Sequence, residues 1–372
     1  MLYGTSVMVS YLGTFFKKNR IFSVIAMAIL AYISIYSNSQ INNDYPVYET
    51  AYQAGSYSGE FEWFYTKLAQ LAFAHGMTYL SFRFWLIGFA SVLFIVGLTR
   101  LTQNTSFVIF GYSVTSYFAD VVQVRHYVML AMMILAYSFL VKKRMINRII
   151  AIAIGLLAAG VHSLGFMFLL GMFMTMLPLK VLVKVLNISI VGAAILQVLY
   201  FFIGPVTIIN IVAKIGSLFI GRADIIDKVT SYYVSGTSFG SIVLILLSWL
   251  YFGTTLVLIT RGFRANTIGD ENTKEYKQSE SRLKIILAVV VVGVLGLSLM
   301  NVSLDYSRIV RVAFVFELIG LSVFKLPITR TNNILVKFMT VLFILSLAFY
   351  TQNVIYGQDF MKKIPQLVNV TL

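Results

Sequence analysis

The chain has 372 residues, of which 59% are hydrophobic and 12% charged, and its mean hydropathy is +0.86. Because a soluble chain carries roughly 25% charged residues, this composition excludes a soluble globular protein and predicts one transmembrane domain over residues 1–372. The distribution of the net charge of +15 and the absence of cysteine exclude further classes of protein and of site. The basic residues lie in scattered short segments and so indicate membrane topology and not nucleic-acid binding, while disulfides and thiolate metal sites are impossible.

Charge-poor apolar stretches recur along the chain, and each is a candidate membrane-spanning helix. In chain order they cover residues 21–40, 84–99, 101–119, 127–141, 149–179, 185–213, 229–260, 285–304, 312–324 and 338–358. The stretch 149–179 has a polar centre at 160–165, which predicts a helical hairpin, and the span within 229–260 is expected to start near Gly240. Residues 2–16 could be a further span or an interfacial helix. The sequence therefore predicts an all-α, polytopic bundle of about 11 transmembrane helices, in a range of roughly 10 to 12.

Lysine and arginine give the orientation of these spans, since short cytoplasmic loops are enriched in both. With Lys17, Lys18 and Arg20 in the cytoplasm, alternation through the spans leaves most acidic residues on the outer side. Two outer loops follow from this, an aromatic and acidic loop at 38–83 and a second loop at 204–239. Residues 261–284 mix basic, acidic and polar residues without an apolar run, which predicts a flexible cytoplasmic loop.

The first outer loop combines carboxylates with many aromatic rings, a pattern that suits carbohydrate binding. Asp44, Tyr45 and Tyr48 directly follow the first clear span, and Glu62 comes later in the same loop. Sugar C–H surfaces stack on rings while sugar hydroxyls hydrogen-bond to acids. The alternative is an ordinary interfacial belt of tyrosine and tryptophan.

Four arginines lie on the side that the positive-inside rule normally depletes: Arg125, Arg222, Arg308 and Arg311. Asp305 precedes the last two at helical spacing, so the three would share one face of a helix. A guanidinium holds phosphate oxygens bidentately, and a diphosphate ligand would explain the group. The alternatives are interfacial snorkelling for Arg125 and, for Arg308 or Arg311, structural pairing with Asp305 or with the deeper Glu317.

Two further ionisable residues are candidates. Glu317 lies in the middle of an apolar stretch, where an ionisable side chain is expensive and is a functional candidate by default. His162 lies at the predicted hairpin turn, where an imidazole could accept a proton from a hydroxyl, although a lone histidine in a turn is more often a packing residue. No spacing of His, Asp or Glu resembles a metal site, and no cofactor-binding motif occurs.

These residues together resemble the EpsG family of polytopic polysaccharide polymerases, relatives of the Wzy-type polymerases. The resemblance rests on Asp44-Tyr45 with Tyr48 and Tyr52, Glu62 with Tyr65, Arg125 opening a span with Ala131, and His162-Ser163 at a hairpin turn. Members commonly have Glu-Pro-Gly before the aromatic, where this chain has Glu62-Trp63-Phe64-Tyr65, and Gln after the arginine, where it has His126.

The resemblance implies a GT-C-like helical bundle in the bacterial cytoplasmic membrane with its active face outward. It implies a glycosyltransferase that joins oligosaccharide repeat units carried on undecaprenyl diphosphate, without a cofactor, into exopolysaccharide, capsule or O-antigen. Asp44, Arg125 and His162 would be catalytic. The substrate-binding residues would be Tyr45, Tyr48, Glu62, Arg222, Asp305, Arg308, Arg311 and Glu317. Expected partners are the lipid-linked donor and acceptor and membrane lipids, with a flippase and a chain-length regulator as further candidates.

Two other classes stay open at this point. A flippase for lipid-linked oligosaccharides would need a charged path through the bilayer and often has internal repeats, and no clear repeat is present here. A purely structural membrane scaffold would leave the outer arginines and aromatic residues without a role.

Overall fold

The computed structural model describes residues 1–16, 19–55, 61–203, 207, 239–266, 273–301, 304–324, 338, 342 and 360–368. Within these ranges every regular element is a helix. The α-helices, numbered in chain order, are α1 (Leu2–Gly13), α2 (Arg20–Ile35), α3 (Asp44–Ala54), α4 (Trp63–Ala74), α5 (Tyr79–Leu101), α6 (Thr105–Val114), α7 (Tyr117–Val122), α8 (Val124–Leu140), α9 (Met145–Val161), α10 (Gly165–Met174), α11 (Leu179–Ile203), α12 (Phe239–Asn266), α13 (Lys274–Leu299), α14 (Ser307–Val323) and α15 (Phe360–Val368). A short 3₁₀ helix, Leu304–Tyr306, precedes α14.

The helices confirm an all-helical membrane protein, while the number of spans stays a prediction. Four segments have both the length and the apolar composition to cross a membrane: Tyr79–Leu101, Leu179–Tyr200, Ile242–Asn266 and Lys274–Leu299. Shorter apolar helices of 10–17 residues form much of the remaining bundle, and they include α2, α6, α8, α9 and α10. The expected GT-C-like arrangement also stays a prediction.

One detail of the predicted layout is confirmed. The stretch 149–179 forms the hairpin of α9 and α10, and the polar residues between Val161 and Gly165 make its turn. Helix α12 is described from Phe239 onward, and the expected start of its span near Gly240 stays a prediction. Helix α1 has only 12 residues, about 18 Å at 1.5 Å per residue, and packs on α2 and α6.

Two predicted loops contain more helix than expected. The outer loop 38–83 holds α3, α4 and the first turn of α5, whose N-cap Thr78 accepts a hydrogen bond from the Ser81 N–H at 3.2 Å. The segment 261–284 was predicted to be a flexible loop, but most of it is helical. Helix α12 continues to Asn266, and α13 begins at Lys274. Lysine, arginine and glutamate are good helix formers, so both helices extend beyond their apolar parts. Nearly all of the predicted loop 204–239 lies outside the described residues.

Helix α8 is the centre of the bundle and connects its two ends. Nearly all of its side chains are buried, and it packs on α5 and α9. Gly97 of α5 permits a close approach, since a Cβ there would lie 2.6 Å from the backbone nitrogen of Leu135. Arg125 is in the first turn of α8, and Lys143 follows its end. At 1.5 Å per residue, the 17 residues of α8 separate these ends by about 26 Å.

The α9–α10 turn closes only because residue 165 has no side chain. A Cβ on Gly165 would lie 2.6 Å from the Cα of Ala159, which is backbone and cannot move away. We expect Gly165→Ala to destabilise the protein by about 1–3 kcal/mol, seen as a lower Tm in detergent. The matched control is Gly88→Ala in α5, where a Cβ would meet nothing within 4 Å. Equal Tm values for the two variants would contradict the tight turn.

Candidate active site

Arg125 is held by four side chains at one end of the bundle, those of Glu62 and three aromatic residues. Its Nε donates a hydrogen bond to the Tyr48 hydroxyl at 3.2 Å, and its guanidinium forms an ion pair with Glu62. The guanidinium carbon lies 4.5, 5.4 and 5.8 Å from the ring centroids of Phe61, Tyr48 and Tyr65. Each such contact contributes about 0.5–2 kcal/mol when the cation is partly desolvated. Arg125 is thus fixed in place by α3 and α4 and does not extend freely to the interface.

Glu62 connects this arginine to the α9–α10 turn. One carboxylate oxygen pairs with Arg125, and the other accepts the backbone N–H of Ser163 at 2.7 Å. Gly160 supports the same junction, since a Cβ there would lie 2.7 Å from the Trp63 ring. Residues 62, 125 and 163 are far apart in the sequence and meet at one point of the fold.

His162 lies in the turn beside this junction and is 7% exposed. Its ring centroid is 6.0 Å from that of His126, in an edge-to-face arrangement. Its Nδ1 accepts the backbone N–H of Leu164 at 3.3 Å, which assigns the ring proton to Nε2. Burial lowers the pKa of His162 well below its usual value, and His126 and Arg125 lower it further. His162 is therefore a neutral residue that offers a hydrogen-bond donor at Nε2.

A buried polar group lies beneath the Arg125 site and joins α7, α8 and α14. His126 Nδ1 lies 2.9 Å from a carboxylate oxygen of Asp120, and its Nε2 lies 3.0 Å from the Arg308 carbonyl oxygen. The Tyr112 hydroxyl donates to the second Asp120 oxygen at 3.1 Å. Arg311 approaches Asp120 at 3.6 Å and also donates to Gln123. Asp120, His126 and Arg311 are at most 3% exposed, so this group is part of the packed interior.

Arg308 and Asp305 remain nearer the surface than Arg311. Arg308 Nη2 lies 3.0 Å from Asp305 Oδ1, as the i,i+3 spacing predicts, and the Asp305 side chain is 63% exposed. Arg311 instead points into the bundle, because it lies on the buried part of α14, which packs on α13 and α6. The alternative of structural pairing is therefore observed for Arg308.

Asp44 begins α3 within the electrostatic influence of the same arginines. Burial raises the pKa of its carboxyl above the usual value, while Arg308 and Arg125 act in the opposite direction. Among the described residues, no side chain or backbone N–H donates a hydrogen bond to this carboxylate. Asp44 is thus a half-buried carboxylate that remains available to a ligand.

The remaining predicted residues have different surroundings. The Tyr45 ring lies under Arg83, at 5.1 Å from the guanidinium carbon, and packs edge-on against Tyr79. Glu317 is fully buried and hydrogen-bonds to none of the described residues. Arg222 lies outside the described residues. Their assignment as substrate-binding residues stays a prediction.

A comparison with known protein families assigns the chain to one of them. The model of the EpsG family matches residues 20–365. The chain belongs to the EpsG family. Members of this family are similar to Wzy-type polymerases, so the chain is a membrane protein of polysaccharide biosynthesis in a family of glycosyltransferase-like polymerases. No curated protein and no solved structure matches the chain.

Three residues of this EpsG-family site are not among the sequence candidates. Asp120 and Gln123 hold Arg311, and Arg83 donates to the Ser34 carbonyl oxygen at 2.6 Å and to the Ser37 hydroxyl at 3.1 Å. Each is a charged or amide side chain beside a long apolar stretch, and this position in the sequence could have identified it as a candidate. The described residues contain no group of three or more His, Asp or Glu side chains that could hold a metal ion.

Asp120 should be far more important for stability than Asp305. Removing one member of a buried ion pair leaves the partner charge unpaired in the interior, so we expect Asp120→Ala to destabilise the protein by about 3–5 kcal/mol. Asp305→Ala removes a partner from an exposed pair and should cost at most about 1 kcal/mol. Tm values of the two purified variants test this, and comparable losses would show that the Asp120 group does not hold the helices together.

Proposed function

We propose that this EpsG-family chain joins oligosaccharide repeat units carried on undecaprenyl diphosphate into a long polysaccharide at the outer face of the bacterial cytoplasmic membrane. The product would be an exopolysaccharide, a capsule or an O-antigen. The junction of Arg125, Glu62 and the α9–α10 turn is the observation that carries the proposal. Arg125 is a fixed cation there, and His162 is a neutral histidine in the adjoining turn. The available carboxylate of Asp44 lies within electrostatic reach of Arg125.

The proposed reaction is a glycosyl transfer between two lipid-linked saccharides. An acceptor hydroxyl attacks the anomeric carbon of the donor, and a new C–O bond forms there. The bond from that carbon to the diphosphate oxygen breaks, and the diphosphate leaves with the electron pair. The hydroxyl proton passes to a base, so the step needs a cationic site for the leaving group and a proton acceptor.

Arg125 is the best-supported partner for the leaving diphosphate. The surrounding rings and Tyr48 fix its guanidinium, and a cation that needs no reorganisation stabilises developing negative charge most strongly. Arg308 is the second candidate, because its ion pair with Asp305 is partly exposed and a diphosphate could replace it. Arg222 stays a candidate from the sequence. Arg311 is buried against Asp120, which favours a positioning role behind His126.

Asp44 is a better candidate for the base than His162. The hydrogen bond from Leu164 occupies Nδ1 and leaves a proton on Nε2, so His162 is arranged to donate and not to accept. The raised pKa of Asp44 makes its carboxylate a stronger proton acceptor than an ordinary aspartate. We propose Asp44 as the base and the His162 Nε2–H as a donor to a diphosphate or sugar oxygen.

Glu62 and Tyr48 hold Arg125, so in this proposal they position the cation, and the more open Tyr45 remains a candidate for sugar stacking. Glu317 is a candidate only for substrate contacts deeper in the bundle.

Lipid-linked glycans in cells test the function. Cells with the wild-type chain should make long polymer, whereas a deletion strain should accumulate single repeat units on the outer leaflet. The measurement is the length of the lipid-linked glycans together with their accessibility to an enzyme added outside. Accumulation on the cytoplasmic leaflet would instead identify a flippase and overturn the polymerase proposal.

A further inference from the structure

A second cluster of basic residues lines a cleft at the opposite end of the bundle from Arg125. The cleft has a volume of about 150 Å³ and lies between the end of α8, the start of α9, the end of α10 and α13. Lys143, Arg148 and Lys284 line it together with the apolar side chains of Leu140, Met176 and Ile285. Two segments of the chain that are far apart in the sequence, 143–148 and the part of α13 around Lys284, thus bring their cations to one concave site.

Lys284 is the most unusual member of this cluster. It is only 7% exposed, and none of the described residues forms a hydrogen bond or ion pair with it. Burying most of a lysine side chain without a hydrogen-bonded partner for its charge is costly, and the carboxylate that acts on Lys284 is Glu280, one helical turn away. Arg148 also has no hydrogen-bonded side-chain partner among the described residues. Lys143 contacts a carboxylate, Glu280, at 3.4 Å, and that side chain does not line the cleft.

We propose that this cleft binds a phosphate group, with Lys284 at its base and Lys143 and Arg148 at its sides. A phosphate has several strong acceptor oxygens, so it can take charge-assisted hydrogen bonds from all three cations at once. It would also relieve their mutual repulsion.

The phosphate could belong to an anionic phospholipid or to a soluble phosphorylated compound. The apolar walls favour the lipid, because Met176 is 42% exposed, and Met145 and Ile146 beside the cleft are 70% and 59% exposed. An acyl chain leaving the cleft would cover these side chains. Lys143 and Arg148 lie between the predicted spans 127–141 and 149–179, on the side that alternation from Lys17, Lys18 and Arg20 predicts to be cytoplasmic. This position agrees with a headgroup of the inner leaflet.

The test uses the full chain purified in a neutral detergent. The Tm is measured against increasing phosphatidylglycerol, zwitterionic phosphatidylcholine or inorganic phosphate, for the wild type, Lys143→Gln, Arg148→Gln and Lys142→Gln. Lys142 is the matched control, since it is exposed on the same loop and does not line the cleft. Arg148 is only partly buried, so its variant should fold even if Lys284→Gln does not.

Phosphatidylglycerol should raise the Tm of the wild type and of Lys142→Gln. Losing one charge-assisted hydrogen bond should weaken this binding about tenfold or more in Lys143→Gln and Arg148→Gln. If inorganic phosphate alone reproduces the effect with the same variant pattern, the site is retained and its ligand is soluble. No Tm shift with either probe, or equal weakening in the control variant, would overturn the proposed site.

Discussion

Replacing Arg125 by alanine is expected to abolish polymer formation while the protein remains in the membrane. The change removes the cation proposed to stabilise the leaving diphosphate, and the loss of one such donor typically lowers kcat by about 10²–10³-fold. The fold should persist, because Glu62 keeps its hydrogen bond from Ser163. The measurement is the rate of polymer formation from purified lipid-linked repeat units, together with the amount of protein in the membrane.

Two further variants separate the role of Arg125 from a general effect of charge. Arg125→Lys keeps the charge but loses the planar fork, so it should recover only part of the activity. Arg144→Ala removes an exposed arginine from the far end of the bundle and should leave activity unchanged. Full activity of Arg125→Ala would remove Arg125 from the mechanism, while loss of the protein from the membrane would show that the rings and Glu62 need it for folding.

Replacing Asp44 by asparagine is expected to lower the transfer rate by about 10²–10⁴-fold, the usual contribution of a general base. The pKa of Asp44 is raised in the folded protein. Its contribution to stability is therefore fully present below the unfolded pKa of about 3.9 and is lost as the pH rises through the folded value. At neutral pH the neutral asparagine should leave the Tm unchanged or higher, so activity and stability should move in opposite directions.

The pH profile provides a second measurement for Asp44. Transfer requires the ionised carboxylate, so the acidic limb of the wild-type profile should lie above the ordinary pKa of an aspartate. Glu49→Gln removes a carboxylate from the same helix and is the matched control for lost charge. A lower Tm in Asp44→Asn, or an acidic limb that this variant retains, would assign Asp44 a structural role and leave the base to another group.

Much of the architecture followed from composition and charge pattern. The α9–α10 hairpin was predictable, because a polar break in the middle of a long apolar stretch favours a turn between two helices in a membrane. The helices within 38–83 and 261–284 were not predictable from the sequence, because charged and aromatic residues occur both in loops and at helix ends. The sequence also pointed to Arg125, Glu62 and His162 separately, since ionisable side chains beside apolar runs are expensive.

The amino-acid sequence by itself determined that this is a helical membrane protein, because the transfer energies of side chains act on local segments. The positive-inside rule acts on local segments too, and it predicts that the acids and the unusual arginines lie mostly on one side. Only the tertiary structure decided that Arg125 lies against Glu62 and three rings, that Arg311 points inward to Asp120, and that the His162 ring is arranged to donate. The longest of these contacts joins Asp120 and Arg311, which are 191 positions apart. Side-chain packing between helices, which no local pattern encodes, selects such contacts.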